Sequence, residues 1–280
     1  MTWRLRISHR TGFDYENEVV SSYNEARLMP LSTPDQLVIE AQVEVEPAVT
    51  CFRYWDYWGT LVYAFDIHRP HTALVVTGTS VVETGPPRHV PSIGWEVLDD
   101  AKVHDRFAEL LAPTAYVPLE DPAVENPALE SRASATPADA CAAVIAWVQE
   151  RLRYERGATT VSTTALDALE HGGGVCQDFA HVSLALLRSA GIPARYVSGY
   201  LHPSAGADVG TTVSGQSHAW VEAWLGEWTP LDPTNGRPVG ERHVVVGRAR
   251  DYADVSPLKG IFHGGPAGAL AVSVDLTRLA

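Results

Sequence analysis

Hydrophobic and polar residues alternate with a period of two through much of residues 3–83. In the clearest run Leu37, Ile39, Ala41, Val43 and Val45 oppose Glu40, Gln42, Glu44 and Glu46, and 74–82 is a second run rich in Val and Thr. Successive side chains of a strand point to opposite faces, so the pattern predicts half-buried antiparallel strands, enough of them for a sandwich-like β domain over 1–90. Gly85-Pro86-Pro87-Arg88 breaks the alternation and reads as a linker, with short helices and proline-rich turns expected through 91–135. Thr136 before Pro137 then supplies a cap and a first helical position, which predicts a helix over 137–153. Phe179, Ala180, Val182, Leu184, Ala185, Leu186 and Leu187 form a second apolar helix, closed by Gly191 and Pro193, with Cys176 in its first turn.

The period of two returns at 217–225, with His218, Trp220, Glu222 and Trp224 on one face and Ala219, Val221, Ala223 and Leu225 on the other. A turn at 225–227 sends 228–232 back antiparallel; centred on Leu225, this hairpin places His218, at the start of its strand, opposite Asp232. Strands are expected again at Val244–Val246 and 270–276, inside a third unit spanning 136–280.

At 280 residues and 45 % hydrophobic, the chain can bury a substantial core. Its net charge of −13 lacks the basic footprint that a phosphate backbone needs, so nucleic acid is not an expected partner. Acidity of this size repels strongly anionic substrates and weakly attracts amines. No run is apolar and long enough to span a membrane, and Met1–Arg6 leads into an alternating strand instead of a signal-peptide core. Three cysteines make no disulfide framework, so the expected setting is the reducing cytoplasm.

Candidate chemistry gathers at three places. A neutral thiol is a weak nucleophile that becomes strong when an imidazole takes its proton, while a carboxylate behind the imidazole fixes its tautomer. Gly172-Gly173-Gly174-Val175-Cys176, Ser217-His218-Ala219-Trp220 and Leu231-Asp232-Pro233-Thr234 supply these parts in that order. The amides and dipole at a helix start favour an anion, the Cys176 amide is one donor for an oxyanion, and the glycines admit substrate close to the backbone. Each part alone has a structural explanation, as a buried thiol, a strand pair or a loop; their ordered conjunction favours catalysis. Cys51 and Cys141 lie in apolar stretches and read as core. His171, Cys176 and His181 are spaced five apart where helical metal ligands need three or four, so no metal is expected; no phosphate-binding Gly-Lys-Ser/Thr ending is present either. Tyr54, Trp55, Tyr57 and Trp58 offer a packed core edge in preference to a peptide platform, and the Gly-, Ser- and Thr-rich loop 201–216 is expected to be mobile.

The Gly-x-Cys-x-Asp, His-x-Trp and Asp-Pro-Thr blocks, in this order across 140–236, resemble the transglutaminase-like cysteine enzymes of the papain-like class. Upstream, Tyr23-Asn24-Glu25-Ala26-Arg27 and Tyr54-Trp55-Asp56-Tyr57-Trp58-Gly59 resemble the N-terminal β region of bacterial members. The resemblance implies an α+β core in which a nucleophile helix packs on an antiparallel sheet. It also implies Cys176 as nucleophile, His218 as general base and then acid, and Asp232 as orienter, with no cofactor. Gly174, Gln177, Asp178, Trp220, Tyr252 and Asp254 are candidates for substrate contact or support, with Asp178 tying the helix start to backbone and Gln177 pointing elsewhere. The implied reaction is acyl transfer through a thioester, foremost hydrolysis of a peptide, isopeptide or amide bond. Transamidation of protein glutamine is the alternative, and a catalytically silent peptide-binding module the third reading. A peptide or protein is the expected substrate, with neither nucleic acid nor membrane as partner.

Overall fold

The computed structural model describes residues 2–265 and 267–280. Its N-terminal half is built from β1 (Trp3–Ala26), β2 (Gln36–Glu46), β3 (Phe52–Trp55), β4 (Leu61–Ile67) and β5 (His71–Thr84). β1 pairs with β5 along its first half and with β4 along its second, with a register break between Asp14 and Val19. The strand thus changes its main partner across the break. Val45, Leu74 and Val76 from β2 and β5 thereby share one apolar cluster with Tyr63, Phe65 and Ile67 from β4, a sandwich in which β1 belongs to both layers.

Two expectations fail locally. A bulge between Val38 and Glu40 of β2 reverses which face looks inward, so Leu37 and Ile39 are 56 % and 44 % exposed while Gln36 is buried, its amide donating to Leu31 O and Val245 O. The aromatic stretch is no packed core edge: β3 is the last strand of its sheet, and Phe52, Trp55 and Tyr57 stand exposed while only Trp58 packs against a core cluster.

Short helices α1 (Trp95–Leu98), α2 (Ala101–Arg106), α3 (Ala108–Leu111) and α4 (Pro122–Arg132) lead to α5 (Pro137–Arg151), whose cap Thr136 accepts from the Asp139 amide. α5 stops short of 153 because β6 (Arg153–Tyr154) pairs in parallel with β7 (Gly173–Gly174). α6 (Ala165–His171) ends on Gly172 at φ +73°, a left-handed position that favours glycine. α7 (Cys176–Ser189) ends in the same way just before Gly191, at φ +78°.

The remaining elements are β8 (Ala194–Leu201), β9 (Thr212–Trp224), β10 (Trp228–Asp232), β11 (Arg237–Pro238), β12 (His243–Ala249), α8 (Tyr252–Val255), β13 (Leu258–Gly264) and β14 (Ala267–Arg278). α7 packs on the antiparallel sheet of β8 and β9, its apolar side chains in one cluster with Ala219, Val221, Ala223 and Leu225. Arg188 of α7 is buried yet satisfied, donating to the carbonyls of Ala112, Ala194 and Arg250.

β9 begins at Thr212, so the end of the loop expected to be mobile is strand, paired with β8 and with β14. β14 also pairs with β1, and Val274 and Leu276 share a cluster with Leu5, Ile7, Tyr200 and Val244. One continuous sheet therefore joins the N-terminal β layers to the strands around Cys176.

Candidate active site

The start of α7 is shaped by Asp178. Its Oδ2 accepts from the Val175 amide and from Thr159 Oγ1, both at 2.7 Å, which ties the preceding loop down onto the helix. Burial raises its pKa, against these bonds. A Cβ on Gly174 would stand 2.3 Å from that Oδ2, so the close approach requires glycine. The first amides of the helix bonded back are those of Asp178 and Phe179, both to Val175 O, which leaves the Cys176 amide ahead of the ladder. Gln177 donates to Val161 O at 3.2 Å, and both residues line the smaller of two cavities beside Cys176.

β9 and β10 deliver the other two groups, in a register other than the one expected. The turn pivots on Gly226 at φ +86°, and Trp228 pairs with Trp224, so the pairing is displaced by two residues and Asp232 falls beside Trp220 instead of His218. Diagonal neighbours on one face still meet. His218 Nε2 lies 2.9 Å from Asp232 Oδ2.

Asp232 has a fully buried side chain that five donors hold. The amides of Thr234 and Asn235 donate to Oδ1 at 3.1 Å, while Oδ2 receives His218, His243 at 3.2 Å and Asn235 Nδ2 at 2.8 Å. Burial works against its charge, but the bonds from His218 and His243 prevail and hold the carboxyl far below the usual carboxylate range. For His218, burial lowers the pKa, but Asp232 and Cys176 outweigh it and raise the imidazole to about 10. Burial lowers the pKa of His243, its hydrogen bond to Asp232 opposing the shift. The Gly240 amide donates to His243 Nδ1, so Nε2 carries the proton that His243 gives to Asp232. Trp220, fully buried, stacks on His218 at 6.0 Å and meets His243 edge-on at 5.4 Å.

With Nε2 committed to Asp232, Nδ1 is the nitrogen of His218 left for Cys176, and the two residues line the same two cavities. One, of about 560 Å³, also carries Tyr154, Asn235 and three arginines. The other, of about 260 Å³, runs between Phe13, Leu258, Leu270 and Val272, with Tyr252 on its wall. The N-terminal β layers and the closing strand thus build part of the site. Asp254 lines neither cavity; it pairs with Arg250 at 2.9 Å.

The ligand set weighed from sequence does not converge. His171 faces Glu155, while His181 is buried and accepts from the Tyr252 amide, its pKa lowered to about 3 by burial. Among the described residues the group able to hold a metal is instead His218, Asp232 and His243, whose donor atoms lie within 4.8 Å of one another. His243 and Asn235 escaped the sequence reading. The available signal was a histidine opening an otherwise apolar strand and an asparagine directly after Asp-Pro-Thr.

Two regions of the chain match known families: residues 128–233 the Transglutaminase-like superfamily, and residues 5–83 the Bacterial transglutaminase-like N-terminal region. The chain belongs to the transglutaminase-like superfamily. It is 50 % identical over 281 residues to an uncharacterised protein of Mycobacterium leprae, covering 99 % of this chain and 100 % of that protein. An uncharacterised protein of Mycobacterium tuberculosis is 34 % identical over 296 residues, covering 98 % and 93 %. A protein-glutamine gamma-glutamyltransferase of Pseudomonas aeruginosa is 33 % identical over 105 residues, 33 % of this chain and 15 % of that enzyme. In fold, the chain is similar to the crystal structure of a candidate cysteine protease from Cytophaga hutchinsonii, with a TM-score of 0.77 at 22 % identity over 100 % of this chain and 92 % of the other.

Proposed function

We propose that the protein is a cysteine-dependent acyl-transfer enzyme that hydrolyses a peptide, isopeptide or amide bond in a peptide or protein substrate. The observation that carries this reading is the position of Cys176 at a helix start in the same cavities as His218, whose far nitrogen is bound to a buried carboxylate. His218 Nδ1 takes the Cys176 proton and the thiolate attacks the carbonyl carbon. The Cys176 amide donates to the oxyanion. The imidazolium then protonates the departing amine as the C–N bond breaks, leaving a thioester. Water, deprotonated by His218, attacks the thioester; the C–S bond breaks, the acid leaves and the thiol is restored. Asp232 stays ionised throughout and stabilises the imidazolium.

Transfer to an amine in place of water is the second reading, favoured by the part-length likeness to the gamma-glutamyltransferase. A cytoplasmic setting remains part of the proposal, in keeping with three free cysteines. The test is alkylation of Cys176 by iodoacetamide across pH, read by peptide mass spectrometry. His218→Ala should slow the reaction of Cys176 at neutral pH at least about tenfold, because the imidazole that takes the thiol proton is gone. Equal rates in the two proteins would refute the triad.

A further inference from the structure

The larger cavity beside Cys176 has the opposite charge to the molecule. Arg156, Arg237 and Arg242 line it and no Asp or Glu does, in a chain of net charge −13. Among the described residues none of these three guanidinia enters an ion pair. Some arginines elsewhere are matched, Arg195 and Arg248 by a shared Glu222, Arg27 by Asp56 and Arg132 by Asp99, while others such as Arg6, Arg10 and Arg53 are also without an ion pair among the described residues; what sets Arg156, Arg237 and Arg242 apart is that they line one cavity with Cys176. Arg242 is fixed from behind, its Nη1 donating to the carbonyls of His202 and Pro203 at 3.3 Å, while Nε and Nη2 make no hydrogen bond. Arg156 meets Gln216, whose amide oxygen accepts from Nη1 and Nη2 at 3.1 and 2.6 Å once the amide is turned to face it.

Three guanidinia without a carboxylate among the lining residues give the cavity a positive potential that an anion would complement, and planar forks of N–H donors suit a carboxylate in particular. The smaller cavity contrasts. It is apolar apart from His9, Thr11, Ser198 and a few neighbours of Cys176, and burial lowers the pKa of His9 to about 4, so this imidazole is uncharged at neutral pH. The cleft is therefore polarised across Cys176, apolar toward the N-terminal β layers and cationic toward Asn235 and β11. The overall acidity, read from composition as repelling anionic substrates, is reversed where substrate would enter.

We propose that the acyl substrate of Cys176 carries a carboxylate, from an acidic side chain or a free chain terminus, bound by Arg156, Arg237 and Arg242. The proposal rests on the acyl-transfer reading of Cys176, and the experiment separates the two. Cys176 is alkylated in parallel with iodoacetate and iodoacetamide, which differ in charge, and the ratio of rates is compared with that of N-acetylcysteine amide. A cleft of one sign concentrates counter-ions about tenfold or more, so the ratio should exceed that of the free thiol by about tenfold. It should fall to the free-thiol value in R156Q/R237Q/R242Q and be largely kept in the matching lysine variant. A ratio equal to the free thiol's and unmoved by the glutamine variant overturns the proposal. Cys176 inert to both reagents would sink acyl transfer instead, and anion selectivity is then decided by binding. Cys176→Ala protein is titrated with neutral-dye peptides, one containing Glu with an amidated end, the other neutral with a free C-terminus. The one that binds names the carboxylate's source and should weaken about tenfold in the glutamine background; affinities unaffected by that background overturn the inference.

Discussion

His243 donates to Asp232 through the same carboxylate oxygen that holds His218, at 3.2 Å against 2.9 Å. One imidazole is raised in pKa and is the one that shares its cavities with Cys176; the other, its pKa lowered by burial, serves as a fixed donor. A carboxylate with its second oxygen shared in this way has little freedom to rotate, so the ring of His218 is held as well.

Replacing His243 by Leu should remove a bond to a buried charge, worth about 1.5–3 kcal/mol, and lower kcat/KM by about tenfold once a substrate is known. His243→Gln, which keeps a donor, should recover part of both losses. Urea unfolding and Cys176 alkylation measure the two effects without a substrate.

The pH dependence of stability follows from the pair His218 and Asp232. The folded pKa of His218 lies above its unfolded value, so its contribution is complete below about 6.5 and is lost as pH rises toward about 10. That of Asp232 lies below, so its contribution is complete above about 4 and is lost as pH falls through the acid range. The stability gap between the wild type and His218→Gln should therefore be widest at about pH 5–6 and shrink by more than about 1 kcal/mol by pH 10. Urea unfolding at several pH values would give the profile, and a gap that grows toward alkaline pH would contradict it.

Gly174→Ala should push Asp178 away from the Val175 amide, because the added carbon falls 2.3 Å from Oδ2 and the carboxylate is anchored on Thr159 as well. Loss of that bond to a charged acceptor should destabilise the protein by about 1–3 kcal/mol, seen in thermal melting. Cys176 alkylation should slow with it, as the helix start shifts.

Leu276 is fully buried in the cluster where β14 bridges β1 and β9. Leu276→Ala should cost about 2–5 kcal/mol. Because one sheet runs through both halves, the loss should appear as a single lowered unfolding transition by fluorescence and by circular dichroism alike.

Much of what surrounds Cys176 is local and legible in the sequence. The cap at Thr136, the glycine stop at Gly191 and the apolar run after Cys176 set the helix ends, since each acts within a turn or two of chain. The hairpin was legible as an element but not in register, because Gly226 rather than Leu225 takes the left-handed turn position, and the choice between adjacent pivots moves every pair by two. In β2 an inserted residue at the bulge did the same to Leu37 and Ile39.

The residue types of the chemistry, their order and the helix that carries Cys176 are written in the linear chain, since capping, periodicity and turn chemistry act between near neighbours. Folding alone decided that His243 would share Asp232, that Phe13 and Val272 would wall a cavity beside Cys176, and that Arg156, Arg237 and Arg242 would face one space. Those groups sit on segments far apart in sequence. They meet through strand pairings such as β12 with β8 and β14 with β1, and pairing between distant strands depends on which faces the whole core buries, which no local pattern encodes.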